Sequence, residues 1–242
     1  VDLRAEYMYV IGSTREISEG FSALTSQAVT DQRIEQHGAR VRLDVKPHRT
    51  LTLAAEWGFA SGDADPRSTT PNTQFSWARD TNLGLLLFEH VLAFQSARSA
   101  AVGIENLKQL EAASFPITEI ATEGRVTNVN AIYPQIFWDP WDELRIKAGA
   151  LFAWSDQPVT DPIQTALRWD GESIVDDAIN YHGGKPGSYW GTEIDLGLEY
   201  RYAEYFEAVV EAAVLFPGDA LQDENGDAVI SWMLETRFVF TL

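Results

Sequence analysis

A chain of 242 residues and 27.0 kDa has room for one large domain or two small ones, a closed barrel included. Its 36 acidic and 18 basic residues leave a formal charge of −18 and a pI near 4.5; with no Lys/Arg run to form a basic face, nucleic-acid binding is excluded. The lack of cysteine removes disulfide frameworks, thiolate metal sites and cysteine nucleophiles together, and no apolar run reaches the roughly 20 residues of a membrane-spanning helix.

The chain opens on Val1 and reads as strand from Leu3, which favours a piece of a longer protein over a processed mature one. In that first segment Leu3, Ala5, Tyr7, Tyr9 and Ile11 alternate with Asp2, Arg4 and Glu6. The second sets Ala39, Val41, Leu43 and Val45 against Arg40, Arg42 and Asp44, and the third sets Leu51, Leu53, Ala55, Trp57 and Phe59 against Thr50, Thr52 and Glu56. A fourth, about 127–137, is less regular because Pro134 interrupts it. The fifth places Leu144, Ile146, Ala148, Ala150, Phe152 and Trp154 opposite Glu143, Arg145 and Lys147. The sixth places Thr192, Ile194, Leu196, Leu198, Tyr200 and Tyr202 opposite Glu193, Asp195, Gly197, Glu199 and Arg201. The seventh alternates Phe206, Ala208, Val210, Ala212, Val214 and Phe216 with Glu207, Glu211 and smaller residues; the last groups Ile230, Trp232, Leu234, Phe238, Phe240 and Leu242. Period-2 alternation of this kind is the mark of strands, here about eight of roughly 10–13 residues, the length of a tilted membrane-crossing strand.

The connections set the architecture. Lys46-Pro47-His48, Asp139-Pro140-Trp141 and Ala203-Glu204 read as tight turns, whereas the segments at about 13–32, 61–126, 155–188 and 217–227 are long. Short and long alternate, so every long loop leaves the same end of the sheet, as in outer-membrane barrels. Aromatics gather at strand ends (Trp57 and Phe59, Phe152 and Trp154, Trp138 and Trp141, Tyr202 through Phe206, Phe238 and Phe240), as interfacial girdles require. A soluble lipocalin-like barrel has the same period with its faces reversed. Strand length, girdles, loop asymmetry and the absence of charge from the apolar rows favour lipid. The expectation is a single domain over 1–242, a transmembrane antiparallel up-and-down β-barrel of the bacterial outer membrane. It has long extracellular loops, one of them an insertion at about 61–126 that contains a short helix.

Several stretches resemble the alginate-export-related family of bacterial outer-membrane barrels: Glu56-Trp57-Gly58-Phe59-Ala60-Ser61-Gly62-Asp63, Asn82-Leu83-Gly84-Leu85-Leu86-Leu87-Phe88-Glu89, Trp190-Gly191-Thr192-Glu193-Ile194-Asp195-Leu196-Gly197 and Leu215-Phe216-Pro217-Gly218-Asp219-Ala220. Members of that family are longer, so the resemblance implies that this is the C-terminal part of a larger barrel. It also implies transport of a polysaccharide or of small solutes.

With the apolar face on lipid, the charged face lines a lumen: basic at Arg40, Arg42, Arg145 and Lys147, acidic at Glu193, Asp195, Glu199, Glu207 and Glu211. A basic wall facing an acidic one sets a transverse field that orients polar solutes; pairing of the same charges across strands plugs a narrow barrel instead. The 61–126 connection is too long for a passive turn. Its stretch Leu83–Phe94, apolar almost all round, must bury itself, with Leu85, Leu86, Phe88, Leu92 and Phe94 forming an inward constriction or a docking surface for a partner. A second helical stretch is expected near 104–112. Asp223, Asn225 and Asp227, like Asp63 and Asp65, alternate oxygen ligands as a Ca²⁺ loop does, but without its sixth-position glycine and distant glutamate. A solvated acidic turn is the expectation there, with no metal and no cofactor. His37, His48, His90 and His182 sit on separate elements without zinc spacing, and an enzyme is not expected. The partners expected are outer-membrane lipid and lipopolysaccharide, with other envelope proteins or further copies of the chain docking on the loops. A structural barrel with a plugged lumen, binding envelope proteins through those loops, is the alternative to a porin or export channel.

Overall fold

The computed structural model describes residues 1–15, 28–97, 122–160, 165, 171–175, 187–203, 205–222 and 225–241. Eight strands form one antiparallel sheet in which each strand pairs with its neighbours in sequence: β1 Asp2–Thr14, β2 Gln32–His48, β3 Leu51–Ala60, β4 Val129–Trp141, β5 Leu144–Trp154, β6 Tyr189–Tyr202, β7 Phe206–Pro217 and β8 Ser231–Phe240. The second helical stretch, expected near 104–112, lies outside the described residues. No ladder joins β1 to β8 among the described residues, so the eight strands form an open wall. No helix of the described residues is long and apolar enough to cross a membrane.

Two of the three expected turns sit further along the chain. β2 runs through Lys46-Pro47-His48 and turns at Arg49-Thr50, while β4 runs through Asp139-Pro140-Trp141 and turns at Asp142-Glu143. In both strands the pairing register slips near the proline, between Val45 and His48 and between Trp138 and Trp141. A bulge leaves a residue outside the ladder, and proline, with no N–H to donate, fits there at little cost. Pro134 lies inside β4: pairing with β5 is present at Ile132 and Gln135 but not at the two residues between them. The third turn, at Ala203, has a left-handed φ of 51°; Glu204 lies outside the described residues.

Register carries the alternation around the wall. Val45, Leu53, Ile136, Ala148, Leu196, Ala212 and Leu234 stand side by side across β2–β8 as one continuous apolar row. This row faces outward: Leu196 is 56% exposed, whereas the alternate residues Glu193 and Asp195 are 0% and 2% exposed. Water would favour the opposite arrangement, while a bilayer rewards it, since a charge at mid-membrane on the lipid face costs about 2–4 kcal/mol. Exposed aromatics flank the rows at both ends. Trp138, Trp141, Tyr202, Tyr205, Phe238 and Phe240 lie at the short turns, with Phe206 stacked on Phe238; Trp57, Trp154 and Trp232 lie at the long loops.

The apolar core is on the other side of the wall. At the loop end, the inward face carries Ala60, Val129, Ala131, Leu151, Ala153, Ala213 and Leu215, and these pack against Phe75, Trp77, Leu83, Leu86, Leu87, Phe88 and Leu92 of the long connection. The core is therefore made by a loop folded onto the concave side, each buried leucine or phenylalanine contributing about 1.5–3 kcal/mol.

Candidate lumen and inward loop

Below this core the inward face is polar, and every predicted charge lies on the inward face, Glu193 within the core itself between Leu151 and Leu215. The four basic and five acidic positions are not two opposed walls. Arg40 donates to Glu56 at 2.6 Å, and Arg42 reaches Glu56 at 3.2 Å and Asp44 at 3.1 Å. Arg4 adds a further ion pair to Asp44. Arg145 pairs with Asp139 at 2.8 Å, and Lys147 with Glu211. Arg201 joins Glu199 and Glu207, and Arg237 also reaches Glu207, at 3.2 Å. Of the two arrangements open to these charges, opposed walls or pairing, the described residues show pairing. It occurs within a strand (Arg42–Asp44, Arg201–Glu199), between adjacent strands (Arg40–Glu56, Arg42–Glu56, Arg145–Asp139, Arg201–Glu207) and across one strand (Lys147–Glu211), because neighbouring side chains on one face of a sheet lie within reach of one another. Lys147 reaches β7 by crossing over Gly197, where any side chain would collide with its methylenes.

The sequence reading missed Asp44, Glu56, Tyr133 and Asp139 as partners of these charges. Glu56 and Asp44 were visible on the polar face, but only the register sets Glu56 beside Arg42 and Tyr133. Tyr133 donates to Asp195 at 2.5 Å.

The loop is held to the wall by backbone and aromatic contacts. The Trp77 amide donates to Val126 O at 2.9 Å, its indole N–H donates to Phe59 O at 3.0 Å, and its ring lies over Gly58, where a Cβ would stand 2.8 Å from the ring. Arg40 sits 5.8 Å above the same ring. Further along, Gly84 introduces a π-helical turn, Leu87–Leu92, in which the Leu86 carbonyl accepts from both His90 and Val91; helix then continues through residue 97. Three consecutive amides, those of Leu85, Leu86 and Leu87, converge on the Glu193 carboxylate at 2.5, 2.8 and 2.6 Å. Of the predicted constriction residues, Leu86, Phe88 and Leu92 are buried and Leu85 packs against the core. Phe94 departs from the expectation: it is 63% exposed, because Leu92 and Ser96, four residues apart, take the buried face of the helix and Phe94 falls midway between them on the other side.

Between the loop and the inward face of β1 and β2 is a cavity of about 640 Å³ lined by Glu6, Met8, Arg40, Phe75, Trp77, Arg79 and Arg125 among others. Arg79 and Arg125 come no closer than 4.0 and 3.9 Å to Glu123.

The acidic corner after β3 is a structural element. Asp63 accepts from the amides of Asp65 (3.0 Å) and Thr73 (3.2 Å), folding the first part of the loop back on itself. Burial pushes its carboxyl up to about 6, with the neighbouring Asp65 adding to the effect. A carboxyl raised above its unfolded value contributes stability at acid pH that is lost as pH rises through 6, by up to about 3 kcal/mol for a shift of about two pH units. Proteolysis of this loop in detergent should therefore be slower at pH 5 than at pH 7.5, and Asp63→Asn should flatten the difference. Equal rates for parent and variant at both pH values would remove this role.

Of the other loop candidates, Asp223 lies outside the described residues, and Asn225 and Asp227 flank a turn at Gly226, whose φ is 83°. No group of three or more His, Asp or Glu is placed to hold a metal among the described residues. His37 stacks on Tyr9 and shares a hydrogen bond with Tyr7, His48 pairs with Thr50, and His182 is outside the described residues.

An antiparallel meander with apolar rows outward, aromatic girdles at both ends and charge within is the wall of an outer-membrane-type transmembrane β-barrel. A family model described as alginate export matches residues 1–231, and the chain belongs to that family. No curated protein matches. Among solved structures, the toluene transporter TodX of P. putida is similar in fold at 11% identity and a TM-score of 0.33 over 99% of this chain. The match covers 55% of TodX, so the chain spans about half the length of that relative. The family is one of export proteins and points to the outer membrane of Gram-negative bacteria.

Proposed function

We propose that the chain is one barrel domain forming wall and inward loop of a passive outer-membrane channel. Its charged lumen passes polar solutes or an acidic polysaccharide, and the loop from 61 to 126 narrows it. The observation that carries this reading is the seating of the loop on the inward face, beside a cavity bearing Arg40, Arg79 and Arg125. The outward rows take lipid and lipopolysaccharide as their solvent. Unpaired strand edges are not tolerated in hydrocarbon, so further strands or a second copy complete the wall beyond β1 and β8.

Selectivity tests the role of the lumen charges. The reversal potential of the intact protein in a planar bilayer, under a salt gradient, should indicate anion preference. Replacing Arg40, Arg42, Arg145 and Lys147 by glutamine should turn it towards cations, because Glu56, Asp139 and Glu211 lose these partners while Asp44 keeps Arg4 alone. An unchanged reversal potential would sink this assignment. A second reading, a scaffold barrel plugged by its loop and binding envelope proteins, draws on the same apolar packing; it predicts no conductance in the parent.

A further inference from the structure

Glu193 is an unusual residue for the middle of an apolar cluster. Its carboxylate is fully buried between Leu151 and the loop, lies beside the Asp195 carboxyl, and accepts from three consecutive main-chain N–H groups of a segment more than 100 residues away in sequence. A buried charge is costly unless its lone pairs are met, and three converging amides meet them. The loop is shaped for this contact. Gly84 has a φ of 76°, and a Cβ there would stand 2.8 Å from both a Glu193 oxygen and Leu151, so only glycine lets the backbone bend onto the carboxylate. The leucines beside it could pack at neighbouring positions along a smooth apolar wall; the carboxylate admits one position only.

We propose that Glu193 is the positioning residue of the inward loop: it holds Leu85–Leu92 at one place and depth on the wall, and thereby sets the aperture. The second half of this statement rests on the constriction reading above; the first does not. Because these 242 residues contain no cysteine, a single cysteine placed among them gives a clean accessibility readout. In the intact protein, a cysteine at Leu87 or Phe88, both buried, should resist a water-soluble thiol reagent. With Glu193→Ala the labelling rate should rise at least about tenfold, the equivalent of about 1.4 kcal/mol of lost local protection. Glu193→Gln keeps the shape and one acceptor oxygen but sets an N–H₂ against an amide, so it should lie between. Heat-modifiable gel migration, which reports the wall itself, should be the same in all variants. Unchanged protection in both Glu193 variants would overturn the proposal. Conductance separates the two ideas: if excising the loop raises it but Glu193→Ala leaves labelling unchanged, the constriction stands and Glu193 does not position it. If Glu193→Ala exposes the cysteine while excision leaves conductance at the parent value, Glu193 positions the loop but the loop is not the constriction.

Discussion

Replacing residues 80–112 by a short flexible linker should raise single-channel conductance. The deleted stretch includes Leu83, Leu86, Leu87, Phe88 and Leu92, which fill the inward face at the loop end. Burial of five such side chains contributes of the order of 8–15 kcal/mol before the entropy of ordering the loop is charged against it. A loop so held stays in place on the timescale of solute passage, and its volume is lost to conduction. Among its described residues none takes part in strand pairing, so the eight-strand wall should still assemble and retain its heat-modifiable migration. Planar-bilayer recording checks the result: conductance equal to the parent's means that the loop lies clear of the ion path.

The second large effect concerns Glu56, which is 2% exposed and held by Arg40 and Arg42. Changing both arginines to alanine leaves a desolvated carboxylate without a counter-charge, at a cost of about 3–5 kcal/mol. Adding Glu56→Gln should restore most of it, because the penalty comes from the orphaned charge rather than from the lost pair. Urea unfolding in lipid vesicles reports both changes. A triple variant no more stable than the double one would show that the arginines act by packing, Arg42 over Phe137 and Arg40 over Trp77, and not by charge.

The same residues explain what was legible in advance. Period-2 alternation survives any register, so the eight strands and the all-antiparallel order were readable from Leu3 through Phe240 without a structure. Turn positions were not, because Pro47 and Pro140 signal a turn locally while a bulge accommodates them within a longer strand. The lumen charges could be named one by one, but their partners could not. Glu56 meets Arg42 only because β2 and β3 pair in one register, and a shift by one residue would turn either side chain to lipid. The buried loop had a signal of its own in the leucines of 83–92. A second, weaker one lay in the apolar residues Val129, Ala131, Leu151, Ala153, Ala213 and Leu215 at the loop end of the charged face.

By itself, then, the sequence determined that this protein is a membrane-type β meander, since the alternation, the strand lengths and the loop asymmetry are local properties of the chain. Its belonging to the alginate-export family was also readable there, from short blocks in order. Only the tertiary structure decided that charge is met in local pairs, within a strand or across one or two ladders, rather than held on opposed walls, and that Glu193 receives the loop. Each of these depends on which residues stand opposite one another across strands far apart in sequence, and no local pattern carries that information.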